Sequence, residues 1–277
     1  MTFSVVISKK EENVEKASGF KMEMLPLDSG LEDVFWNYVY QDVPHHHFFI
    51  LDWKFEKNST KILLALKENR IQGMMLTYGQ SIVQLRGSAE AVNALLDYLD
   101  LEKVEIQALM EHENMVLKRY KPMTRHELIL MTLRKGEERL HFKHPVVKLT
   151  PSDAKEIARL IGQANPESWG EAAPQRIIEG MDERLWLGIK VDGKLVSLGG
   201  TRFTEWGSNI GVIATEESHR CKGYATSIVS TLVKKILARC PMAFIHVLSD
   251  NPPAIHVYEK VGFKPYRTYF FVRGEKR

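Results

Sequence analysis

Cysteine is nearly absent: Cys221 and Cys240 are the only two in 277 residues. That number leaves no room for a disulfide framework or a thiolate metal cluster. An excess of one charge sign is also missing. Lys and Arg total 38 against 35 for Asp and Glu, a net of +3 with no long basic run, so nothing calls for a nucleic-acid partner. No apolar stretch approaches the roughly 18 residues of a membrane span. The first residues, MTFSVVISKKEENVEK, lack a signal peptide's order of basic, long apolar and small-residue regions. A cytoplasmic protein with no membrane partner is the expectation. A hydrophobic content of 44% and a charged content of 26% describe a globular chain long enough for one large domain or two ordinary ones.

The first half reads as a mixture of helices and strands. Residues 1–21 are polar after a short FSVVI run and suit an edge strand or an arm. Leu31, Val34, Phe35, Tyr38 and Val39 fall at helical spacing. His45, His46 and His47 invite a metal, but three consecutive histidines fan apart on any regular backbone and no converging ligands are evident. A loop entering a buried strand over 48–51 is the better expectation, and no metal is expected. A hairpin follows over 59–76, turning at Lys67-Glu68-Asn69-Arg70. Then come a strand at 81–85, a helix at 89–99 capped by Ser88, a strand at 104–109, a helical stretch at 112–120 and a strand at 128–133. The charged segment 136–144 is the expected linker.

The second half repeats that order. It starts with a strand over 146–149 and a helix opened by Thr150-Pro151-Ser152-Asp153. A short helix is expected over 174–181, and a hairpin turns at Asp192-Gly193. Residues 210–225, IGVIATEESHRCKGYA, carry the chemistry. A β-favouring run ends in a polar turn, and from Ala225 the positions Ile228, Val229, Leu232, Val233, Ile236 and Leu237 form one stripe of a helix. Unpaired N–H groups and the helix dipole at such a turn favour an anion. Gly223 lets the backbone approach it, and Arg220 and Lys222 add positive charge. A strand over 243–248 follows, then Asn251-Pro252-Pro253-Ala254, Tyr258 and Gly262-Phe263, and a last strand over 269–272.

These two segments resemble the GCN5-related N-acetyltransferase superfamily. Its signature is an Arg/Gln-x-x-Gly-x-Gly/Ala loop followed by Asn-x-x-Ala-x-x-x-Tyr-x-x-x-Gly-Phe, and the likeness covers about residue 146 onward. It implies an α/β (α+β) fold: two tandem domains, residues 1–140 and 141–277, each a mixed, mostly antiparallel twisted sheet flanked by helices. It further implies that acetyl-CoA is the co-substrate. The backbone of Ile213, Ala214 and Thr215 would line the pantetheine, and Arg220, Cys221, Lys222, Gly223, Tyr224, Ala225 and Thr226 would cradle the pyrophosphate. Asn251 would contact the pantetheine or hold a strand split, and Tyr258 would protonate the leaving thiolate. From the residues alone, Tyr258 is a packed aromatic on a helix and Cys221 is incidental.

The N-terminal copy has Leu85-Arg86-Gly87-Ser88-Ala89-Glu90 at the loop, with Glu90 where a phosphate would sit. It is expected to be degenerate, as in tandem members such as the glycine N-acyltransferase group. The family's carboxylate base has no match, because Asn209 stands near that position. Glu205, Glu216, His219, His246 or a water relay remain open. The expected activity is transfer of an acetyl group to the amine of a small molecule or amino-acid-like acceptor by a monomer or homodimer. A non-catalytic acyl-CoA-binding or sensing module is the alternative, and a scaffold of two inactive copies is a third reading.

Overall fold

The computed structural model describes residues 21–164 and 174–277. The arm or edge strand expected over 1–21 therefore lies outside the described residues except for Lys21. Strands are β1 (Glu23–Pro26), β2 (Thr60–Lys67), β3 (Arg70–Tyr78), β4 (Ile82–Gly87), β5 (Lys103–Leu109), β6 (Tyr120–Arg134), β7 (Val147–Lys148), β8 (Arg184–Val191), β9 (Lys194–Arg202), β10 (Ser208–Thr215), β11 (Met242–Leu248) and β12 (Lys264–Lys276). Helices are α1 (Glu32–Val39), α2 (His47–Phe55), α3 (Ala89–Leu96), α4 (Glu113–Arg119), α5 (Ala154–Ala164), α6 (Pro174–Glu179), α7 (Tyr224–Leu237) and α8 (Pro252–Val261).

Local chemistry explains most of these boundaries. Glu68 and Asn69 have φ of 52° and 58°, and Asp192 and Gly193 have 50° and 80°. These are the paired left-handed residues of the tight turn that matches strand twist, so β2–β3 and β8–β9 close as hairpins. The Ser88 hydroxyl accepts the Ala91 N–H and starts α3. The Asp153 carboxylate accepts the Thr150 N–H and also binds Lys190 Nζ at 2.6 Å, fixing the start of α5 against β8.

Two expectations need correction. The run at 48–51 is helical: α2 begins at His47 and buries Phe49, Ile50 and Trp53. A short apolar run carries no period that separates a buried strand from a buried helix, and packing on both sides of the run decides. The strands placed at 128–133 and 269–272 are much longer, because β6 and β12 pair with each other along nearly their whole length. Their outer parts are polar and half-exposed, so no hydrophobic alternation marks them in the sequence.

All strands join one mixed, mostly antiparallel sheet, ordered β1-β2-β3-β4-β5-β12-β6-β11-β10-β9-β8-β7. The unit β4-α3-β5-α4-β6 of the first half recurs as β10-α7-β11-α8-β12 in the second. The last strands are exchanged. β12 pairs with β5 of the first half, and β6 pairs with β11 of the second. Helices α3 and α4 cover one face of the first half, and α1 and α2 cover the other. Helices α7 and α8 pack on one face of the second half, with α5 and α6 opposite. A small central cluster of Leu130, Phe244 and Tyr269 joins the halves. Helix α2 spans the seam, with His47 on Phe244 and Phe48 on His246.

Candidate active site

The parallel pair β10 and β11 is in register only at Ser208↔Ala243 and Asn209↔Phe244. Beyond Asn209 the strands part. β10 stays paired with β9 through Ile213↔Gly199, Ala214↔Leu198 and Thr215↔Ser197, after a bulge between Ile210 and Val212. The other edge of Ile213, Ala214 and Thr215 therefore faces an opening in the sheet. Such a split, with unpaired backbone on both strands, suits an extended amide-bearing chain.

The turn after β10 leads directly to α7. Cys221 and Gly223 take left-handed φ of 61° and 89°. Among the described residues the backbone N–H groups of 222–226 have no hydrogen-bond partner. Arg220, Cys221 and Lys222 are exposed there, Gly223, Tyr224 and Ala225 half-buried, and Thr226 buried. A side chain on Gly223 would meet His144 and Lys143 of the linker. That linker is held in place: the His141 and His144 N–H groups donate to Ser230 and Ser227 Oγ, and the His144 ring donates to the Lys222 carbonyl at 2.8 Å. Two basic residues that the sequence reading left in a spacer thus border the turn, and the only signal for them was their charge.

Tyr258 lies on α8, buried beside Phe263. Its hydroxyl has no hydrogen-bond partner among the described residues, and burial raises its pKa above the usual phenol value. The Asn251 side chain caps α8 through the Ala254 N–H at 3.2 Å, which leaves its amide N–H₂ available.

The candidate bases are mostly engaged. Glu205 is exposed and paired with Lys54. Glu216 binds Lys194 and Arg159, with Lys194 chiefly holding its carboxyl below the ordinary value, and His219 lies against it at 3.2 Å. His246 is neutral: burial lowers it to about 3, and its Nδ1 has no partner. Beside the split lies a cavity of about 70 Å³, lined by Asn209, Gly211, Trp186, Arg184, Arg202 and, from α2, His47. The sequence reading missed His47 as part of this region, because α2 belongs to the other half. Among the described residues no group of three His, Cys, Asp or Glu side chains is arranged to hold a metal. Likewise no helix among them is long and apolar enough to cross a membrane.

The equivalent place in the first half is filled. β4 and β5 part after Gln84↔Gln107, and the Arg86 side chain lies in the gap. Its Nη2 donates to Gln107 Oε1 at 2.6 Å and to Gln84 Oε1, its Nη1 to the carbonyls of Leu85 and Gln107, and its Nε to the His45 carbonyl. Only Ser88 separates β4 from α3, so there is no turn to cradle an anion. The expected charge at Glu90 is secondary to this plug.

Residues 186–272 match the family described as FR47-like protein. Similar solved structures extend over most of the chain. A Drosophila protein superposes with a TM-score of 0.70 at 9% identity, covering 91% of this chain and 98% of its own. A GCN5-related N-acetyltransferase from Sphaerobacter thermophilus gives 0.60 at 12%, covering 91% and 95%. A tandem GNAT protein from the clavulanic acid biosynthesis pathway gives 0.57 at 13%, covering 92% and 98%. No curated protein sequence matches. At these identities the likeness is one of fold.

Proposed function

We propose that the chain is a GCN5-related N-acetyltransferase whose second half moves an acetyl group from acetyl-CoA to the amine of a small molecule or amino-acid-like acceptor, a reading supported by the family match over residues 186–272 and by the shared fold. The observation that carries this reading is the split of β10 from β11 after Asn209, followed directly by the turn with unpartnered N–H groups at 222–226. Pantetheine would lie along Ile213, Ala214 and Thr215, and the pyrophosphate in the turn from Arg220 to Thr226. Each charge-assisted N–H bond to it would contribute roughly 1.5–3 kcal/mol.

In the proposed reaction the amine nitrogen attacks the thioester carbonyl. The N–C bond forms, the C–S bond breaks, and the surplus N–H proton passes to water. Tyr258 donates its proton to the departing sulfur and recovers one from solvent. Burial suits this role, since a phenol with a raised pKa stays protonated at neutral pH. Asn251 would contact the pantetheine through its free amide N–H₂.

The test is thermal unfolding with and without acetyl-CoA, in the wild type and in Gly223→Glu. Binding to the native state stabilises it by about 2.7 kcal/mol at a hundredfold excess over Kd. A rise in the wild type that disappears in the variant supports the reading, and no rise with acetyl-CoA or CoA overturns it. A non-catalytic acyl-CoA-binding module is the second reading, favoured by the neutral amide of Asn209 where a carboxylate base is expected. Thioester cleavage on addition of amines excludes it. We also place the protein in the cytoplasm, as a monomer or homodimer, with residues 1–140 and 141–277 as the two units.

A further inference from the structure

At the last rung before the split, Asn209 and Phe244 are directly opposite each other. Side chains opposed in a parallel pair leave the sheet on the same face. That face is covered by α2, whose His47 ring stands edge-on to Phe244 with centroids 4.6 Å apart. Asn209 and His47 therefore meet over the apex of the split, and both line the 70 Å³ cavity. Neither polar group is satisfied. Asn209 Oδ1 is buried with no partner, and the ring of His47, a residue 4% exposed, has no hydrogen bond among the described residues. A buried polar atom without a partner is rare in folded proteins, and one beside a cavity at a sheet split, next to an uncommitted imidazole, points to a missing ligand.

We infer that Asn209 and His47 form the binding site for the acceptor's nitrogen, so that the first half of the chain contributes a wall of the active site. The inference rests on the acyltransfer reading for what happens to that nitrogen. An amine offers two or three N–H donors, and the site offers two acceptors, the Asn209 carbonyl and a ring nitrogen of His47. Burial lowers His47 to about 3, so its ring is neutral and able to accept at any working pH.

The cavity's size and rim define the acceptor further. One water needs roughly 10–15 Å³, so 70 Å³ takes a group of a few heavy atoms. Arg184 and Arg202 stand at its edge. Arg202 is paired with Glu56 and Glu183, whereas Arg184 has no ion pair within 4 Å among the described residues. The carboxylates of Asp52, Glu56 and Glu183 act on the same guanidinium groups. The site fits a small primary amine.

The experiment uses the full chain with n-propylamine as the probe amine. Two variants, His47→Phe and Asn209→Leu, each remove one acceptor, and His47→Gln restores one. Both removals should raise the KM for propylamine at least about tenfold, with the acetyl-CoA melting shift unchanged and His47→Gln partly recovering. Separately, the His47 imidazole resonances should respond to propylamine even without acetyl-CoA. An unchanged KM in both variants, or imidazole resonances that ignore propylamine, would each overturn the assignment. Loss of the acetyl-CoA shift in the wild type would instead sink the acyltransfer reading, while the imidazole titration still decides this site.

Discussion

Tyr258 is buried on the helix that follows the split strand, and its hydroxyl has no hydrogen-bond partner among the described residues. If it is the proton donor, Tyr258→Phe should lower kcat by about a hundredfold or more while acetyl-CoA affinity and melting temperature hold. An equal loss in affinity would reduce it to a packing residue. The histidines make a different prediction, about stability. Burial holds His46 at about 4, and His47 and His246 at about 3, against 6.5 for a free ring. Below pH 6.5 the unfolded chain takes up protons that the folded chain refuses. Their contribution is therefore complete above 6.5 and is lost as pH falls toward the folded values, by up to about 1.4 kcal/mol per unit for each ring. Urea midpoints should drop between pH 7 and pH 5, and His246→Phe should flatten the drop. A wild-type midpoint independent of pH in that range would contradict it. Gly223, Asn251 and Tyr258 stand out in the sequence through a family resemblance whose motif spacing is local. His47 could not be read this way, since its position over Phe244 depends on a contact across nearly the whole chain.

Element by element, the first half differs from the second chiefly where β4 meets α3. Gly87 has φ of 126°, and a Cβ there would overlap Gly73 Cα and the Gln72 carbonyl. Arg86, next to it, occupies the strand gap with five hydrogen bonds. Arg86→Met should destabilise the protein by about 3 kcal/mol or more, because it leaves several buried acceptors unpaired at about 1–3 kcal/mol each. The acetyl-CoA melting shift should be unaffected; urea unfolding and the shift assay together check both halves of the statement. The hairpins, the capped starts of α3 and α5, and the strand–turn–helix at 208–237 were legible because turn chemistry and periodicity encode them locally. Helix α2 and the full reach of β6 and β12 were not. The first is decided by burial on both sides, and the other two by pairing with each other rather than by any pattern of their own.

Over the whole molecule, the exchange of β6 and β12 ties the halves into one sheet. Strand β12 bonds to β5 on one side and to β6 on the other, and β6 passes on to β11. Unfolding should therefore be a single cooperative transition, and amides of β5, β6 and β12 should exchange only through global opening. Two resolved calorimetric transitions would contradict this. The exchange also orders events in time. On the ribosome, β5 emerges long before Lys264, yet the edge it presents is closed only by β12, a strand made much later in the sequence. Until synthesis passes Lys276 the nascent protein carries an open strand edge, and closing it requires a contact of very long sequence separation. Slow completion, and a need for protection in the interval, follow from the position of one strand.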